Sequence, residues 1–195
     1  MKNLLKLSIL IILFGCINEP TNRFEFNKNE LNKDVKSESI KNKKFTYNKF
    51  NFEMEVPANW DIQEFGDSLN HSFTLQATKW DSTDLSWSYQ IQAINWKGQE
   101  ELDKLFKNEQ EKLTTKYKSK IIDKGEYTSN NIKHLWTLFE RFDESIGLNQ
   151  RQLLFYSKAN KSDFYLISIG ITGSKAPQKN ILKYLHYIDK FSLLK

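Results

Sequence analysis

The side chains able to do chemistry are few and scattered. The three histidines are His71, His134 and His186, and none lies three or four residues from another histidine or from a cysteine. Zinc sites of the common types need that spacing, because neighbouring turns or strand positions must bring ligands to one ion. No metal site or cofactor is therefore expected. Cys16 is the only cysteine, so no intramolecular disulfide can form, and a lone cysteine in an exported chain calls for a chemical use. No G-x-S-x-G nucleophile elbow occurs. Gly170-Ile171-Thr172-Gly173-Ser174 lacks the glycine-rich pattern and Lys-Ser/Thr ending of a phosphate loop, and reads as a strand-to-helix turn. Asp143 and Glu144 are adjacent carboxylates in a hairpin loop, whereas acid–base work needs carboxylates facing each other across a pocket. The sequence gives no reason to expect an enzyme.

Cys16 has a specific context. Lys2 and Lys6 precede an apolar run from Leu7 to Phe14, closed by Gly15-Cys16. The run is far shorter than the roughly 20 residues a membrane-spanning helix requires and suits a secretory signal. Leu13-Phe14-Gly15-Cys16 resembles the lipobox of bacterial lipoprotein precursors: an aliphatic residue, a small residue just before the cut, then cysteine. Phe14 is bulkier than is usual there. The resemblance implies removal of residues 1–15 as a signal peptide. It also implies transfer of diacylglycerol to the Cys16 thiol, N-acylation (palmitate is the usual kind of chain), and a membrane partner reached through those lipids. Two acyl chains suffice for stable anchoring. The expected address is the cell envelope of a bacterium, on either membrane.

Composition narrows the partners. The precursor carries +5. Loss of Lys2 and Lys6 leaves 27 basic against 24 acidic side chains, or +3. The lysines alternate with acids, as in Lys104, Lys107, Glu109, Glu111 and Lys112. A nucleic-acid binder would gather them on one face, so nucleic acid is not an expected partner. Residues 16–43 hold the lipidated cysteine and an Asn-, Lys-, Glu- and Ser-rich stretch that cannot bury enough surface to offset its ordering entropy. They are expected to form a flexible tether before a domain at 44–195.

Within that domain the apolar period sets the elements. Phe45-Thr46-Tyr47 and Phe50–Val56 alternate at period two around a turn at Asn48-Lys49, and Pro57 stops the second strand. Ser72–Thr78 and Trp87–Ala93 alternate around a turn at Asp81–Asp84. From Gln99 the period becomes helical, with Leu102, Leu105, Phe106, Leu113 and Tyr117 in one stripe. Strands follow at about Lys120–Thr128, Ile132–Arg141, Asn149–Ser157 and Phe164–Thr172, joined by connections short enough for an antiparallel meander. A last helix is predicted from Pro177 to Phe191, with Ile181, Leu185 and Ile188 inward. The order predicts an α+β domain, an antiparallel sheet covered by helices as an α/β/α sandwich.

Phe50-Asn51-Phe52-Glu53-Met54-Glu55-Val56-Pro57-Ala58-Asn59-Trp60 gives that order a relative. An aromatic-rich strand ended by proline, with tryptophan soon after, resembles the opening of PsbP-like domains, and Trp60 would swing back to cover the sheet. The PsbP-like fold is shared by a photosystem II extrinsic protein, a yeast Ran-binding nuclear-import factor and lipoproteins of the LpqN type. The resemblance implies a non-catalytic binding or assembly module with an envelope protein as partner, and no metal or Ran contact of those proteins maps onto this chain. A second expectation is a carrier or sensor for a small apolar or carbohydrate ligand. Trp80, Trp87, Tyr89 and Trp96 flank one hairpin, where core packing is the first reading and a ligand cleft rimmed by Trp80 and Trp96 the other.

Overall fold

The structure is a computed structural model that describes residues 41–67, 72–80, 87–173 and 181–194. The signal segment, Cys16, residues 17–40, His71, the Asp81–Asp84 turn and Pro177 lie outside the described residues.

Two antiparallel sheets form. The larger has seven strands in the order β3-β4-β5-β9-β8-β7-β6: β3 (Asp61–Asp67), β4 (Ser72–Trp80), β5 (Trp87–Lys97), β6 (Lys120–Ser129), β7 (Ile132–Asp143), β8 (Leu148–Lys158) and β9 (Asp163–Gly173). The smaller is β1 (Asn42–Tyr47), β2 (Phe52–Pro57) and β10 (Phe191–Leu193), with β2 in the middle. Alternation fixes both. In β2, Phe52, Met54 and Val56 are fully buried while Glu53 and Glu55 point outward. One face of the large sheet presents Leu75, Ile91, Ala93, Leu153, Phe155, Ile167, Ile169 and Ile171 to the same core. The register runs without a break from β4 to β9, and β9 is buried almost throughout.

The expected layering holds in part. Helix α1 (Leu102–Thr115) packs Leu105 and Leu113 on Phe139, Leu154, Tyr156 and Phe164, covering one face over β6, β7 and β8. The opposite face is covered chiefly by the small sheet together with a C-terminal 3-10 helix, Ile181–Lys190. The α/β/α description is corrected accordingly. The first two strands pair with the last one and form a lid of their own, because Phe52, Met54, Val56 and Phe191 all need burial on one side.

Two local outcomes differ from the sequence reading. The last helix is 3-10 rather than α over the described residues. Ile181, Tyr184 and Tyr187 are buried at every third position, the period at which 3-10 side chains eclipse, and Ile188 beside Tyr187 is buried with them. Strand β3 was not anticipated: Ile62 alone turns toward the core, Phe65 faces outward, and the strand lies at the sheet edge, so its alternation is weak. The first strand among the described residues, β1, begins at Asn42. The Trp60 expectation matches the fold. Its ring is buried and meets Tyr184 edge-on at 5.1 Å, and Tyr184 meets Tyr89 at 5.3 Å.

Turn chemistry pins the assembly. Asn130 and Asn131 both have positive φ, 49° and 61°, the pair of conformations that a two-residue hairpin turn with the strands' own twist demands. Asn130 Nδ2 donates to the carbonyls of Asp189 (3.0 Å) and Phe191 (2.7 Å), tying this turn to the C-terminal segment. Tyr127 Oη donates to Asp189 Oδ1 at 2.7 Å in support.

Candidate functional site

Hydrogen-bond register places one set of residues at a common end of the large sheet. Trp80 pairs with Ser88, Ser88 with Thr172, Thr172 with Gln150, and Gln150 with Arg141. This row crosses five strands, so Trp80 and Arg141 share a face and an end, roughly 19 Å apart at about 4.8 Å per strand. Arg141 Nε donates to Gln150 Oε1 at 2.8 Å, and its Nη2 meets Asp143 Oδ2 at 2.8 Å. The Ser145 hydroxyl, with Arg141 close by, holds the Asp143 carboxyl below the usual carboxylate range.

Beyond α1 the chain turns through Lys118, which has φ 49°. That turn brings Tyr117 beside the β7–β8 hairpin. The Arg141 guanidinium lies 5.1 Å from the Tyr117 ring centre and Lys116 Nζ 5.2 Å from it, within the range of cation–π attraction. Lys116–Lys118 and Arg141–Ser145 enclose an open groove of about 500 Å³. Tyr117, Phe142 and Ile146 are 41%, 54% and 53% exposed. Large apolar side chains gathered at one place on a surface mark a contact site more often than single ones do.

The aromatic residues singled out from sequence separate in the fold. Tyr89 is buried against Tyr184 on the core face. Trp96 lies on the other face, stacked on Phe164 at 5.5 Å. Trp80 is 59% exposed and pairs with Ser88, eight residues and roughly 27 Å of strand from Trp96. The side chain of Trp87 lies outside the described residues. Trp80 and Trp96 thus stand at opposite ends of β5 and do not rim one cleft.

One serine–histidine arrangement does exist. His134, fully buried, stands between Ser157 Oγ, 2.6 Å from Nδ1, and Ser129 Oγ, 3.1 Å from Nε2. A neutral imidazole offers one donor and one acceptor, which matches two hydroxyls. Burial pushes the His134 pKa down to about 4, so the ring is neutral at pH 7. His134 and Ser157 have no exposed surface and Ser129 has little, so the trio can serve as internal polar packing but offers no nucleophile to a substrate. Sequence spacing hid it, since Ser157 is 23 residues from His134 and reaches it only through β7–β8 pairing. Among the described residues no three His, Cys, Asp or Glu side chains gather to hold a metal ion, and no helix is long and apolar enough to cross a membrane.

The solution structure of cyanobacterial PsbP (CyanoP) from Synechocystis superposes over 84% of this chain and 98% of its own length, with TM-score 0.50 and 10% identity. The fold is PsbP-like. LpqN of Mycobacterium tuberculosis, described as involved in cell envelope biogenesis, is similar over 83% of this chain and 95% of its own, with TM-score 0.47 and 9% identity. A Bacteroides thetaiotaomicron protein is similar over 78% of this chain with TM-score 0.47 and 15% identity, and the match spans about half (48%) of that protein's length. No protein-family model matches this chain, and no curated protein does. At these identities the likeness extends to fold alone.

Proposed function

We propose that this protein is a lipid-anchored, non-catalytic binding or assembly module of the bacterial cell envelope. The observation that carries the reading is the joining of a lipobox-like Leu13-Phe14-Gly15-Cys16 to a PsbP-like domain. Acyl chains on Cys16 hold the chain to a membrane, and the domain presents a contact surface rather than a reaction centre. The sealing of His134 and Ser157 supports the non-catalytic part. The groove between Tyr117 and the β7–β8 hairpin supports the contact part. An envelope role is also what the name of LpqN describes for that protein.

Fractionation of cells making the full chain or Cys16→Ala tests the reading, followed by affinity capture from each fraction. The wild-type protein is expected in the membrane fraction, bringing the same envelope protein in repeated captures. Cys16→Ala is expected to lose both. Retention of Cys16→Ala in the membrane at the wild-type level, or repeated capture of nothing, contradicts it.

A further inference from the structure

The chain enters the folded domain at the same end of the molecule that carries its exposed apolar side chains. Asn42 pairs with Pro57, Trp60 stands three residues on, across the turn that its N–H closes on the Pro57 carbonyl, and Trp60 reaches Tyr89 through Tyr184. Tyr89 sits in the row Lys79, Tyr89, Ile171, Arg151 and Glu140, one residue from the row that holds Trp80 and Arg141. β1 then runs away from this end, since Tyr47 and Phe50 lie on Phe73 at the far end. Of the six large apolar side chains most exposed among the described residues, Trp80, Tyr117, Ile122, Phe142 and Ile146 lie at or near the entry end, and Phe65 lies at the other.

Charge follows the same division. Arg141 is paired with Asp143, Arg151 with Glu140 and Lys190 with Glu55. Lys118 lies 3.8 Å from Glu144, which leaves exposed Lys41, Lys116 and Lys120 against exposed Asp61 at this end among the described residues. Apolar tips ringed by lysines are the pattern of a surface that lies in a membrane interface, with rings and aliphatic groups at headgroup depth and ammonium groups on anionic headgroups. Residues 17–41 number 25 and span at most roughly 85 Å, so Cys16 can sit in a bilayer while this end touches the same bilayer.

We infer that the Arg141 end of the domain docks on the anionic lipid surface to which the chain is anchored, with Phe142, Ile146 and Tyr117 as the inserted side chains and Lys116 and Lys120 on the headgroups. The identity of the surface rests on the anchoring reading above. Docking fixes the domain's orientation and turns the β8–β9 turn, at the opposite end, toward the aqueous compartment.

The test uses the full lipidated chain in vesicles of phosphatidylcholine with phosphatidylglycerol, carrying one thiol-reactive fluorophore at Phe142→Cys or Ile146→Cys, or at Lys161→Cys in the β8–β9 turn. Acylated Cys16 takes no label, so two labels per chain would signal failure of the anchoring reading and not of docking. Collisional quenching by iodide is expected to be several-fold weaker at 142 and 146 than at 161, and Lys116→Glu with Lys120→Glu is expected to narrow the gap. Equal quenching at the three positions in chains that float with the vesicles overturns the inference. Protection at 142 in native envelopes but not in lipid vesicles also overturns it, in favour of a protein partner.

Discussion

His134 is the residue whose charge most directly couples to folding. In the unfolded chain an imidazole takes up its proton near pH 6.5, whereas the buried ring does so only near pH 4. Between those values the unfolded chain binds more protons, so stability falls as pH drops from 6.5 to 4 and this contribution levels off below. The full difference is about 3 kcal/mol at roughly 1.4 kcal/mol per pKa unit. Urea denaturation of the wild type between pH 7 and pH 4 is expected to show that loss, and His134→Gln is expected to flatten it while lowering stability at pH 7. An equal slope in both proteins would assign the acid sensitivity to carboxylates instead. Sequence could place His134 within a strand but not reveal its two serine partners, which arrive from the end of β6 and from β8 on either side.

At the scale of elements, the strands were legible wherever inward and outward positions alternate in polarity. β4 and β5 are clear cases, with Phe73, Leu75, Ala77, Ile91 and Ala93 buried and Thr74, Gln76, Gln90 and Gln92 between them. β3 was illegible because an edge strand needs only one inward residue to stay in place. The C-terminal helix was misread in type because Ile181, Leu185 and Ile188 fit an α stripe, while the buried tyrosines follow a period of three. The small sheet depends on a contact that no local pattern announces, the Asn130 amide on the carbonyls of Asp189 and Phe191. Asn130→Ala removes both bonds and disfavours the positive φ, and should cost about 1–3 kcal/mol. Hydrogen exchange should then rise at Phe191–Leu193 before it rises in β9. Unchanged protection of β10 would mean that packing of Phe191 alone holds it.

For the whole molecule, the fold was legible from apolar periodicity, while the proposed address rests on a different kind of signal. The lipobox-like segment is contiguous, so a reader of the chain meets all of it at once. The groove joins Tyr117 at the end of α1 to Arg141 and Phe142 at the end of β7, and becomes a unit only through the turn at Lys118 and the pairing of β6 with β7. The expected aromatic cleft failed to assemble for a related reason: parity put Tyr89 and Trp96 on opposite faces, and strand length carried Trp96 away from Trp80. The proposed function rests on the acyl chains expected at Cys16. Intact-mass and N-terminal peptide spectrometry of the protein purified from its own membranes tests them directly. The account predicts a chain that starts at Cys16 and carries diacylglycerol on sulfur with a further acyl group on nitrogen. A free thiol at Cys16, or a mature terminus at any other residue, contradicts it.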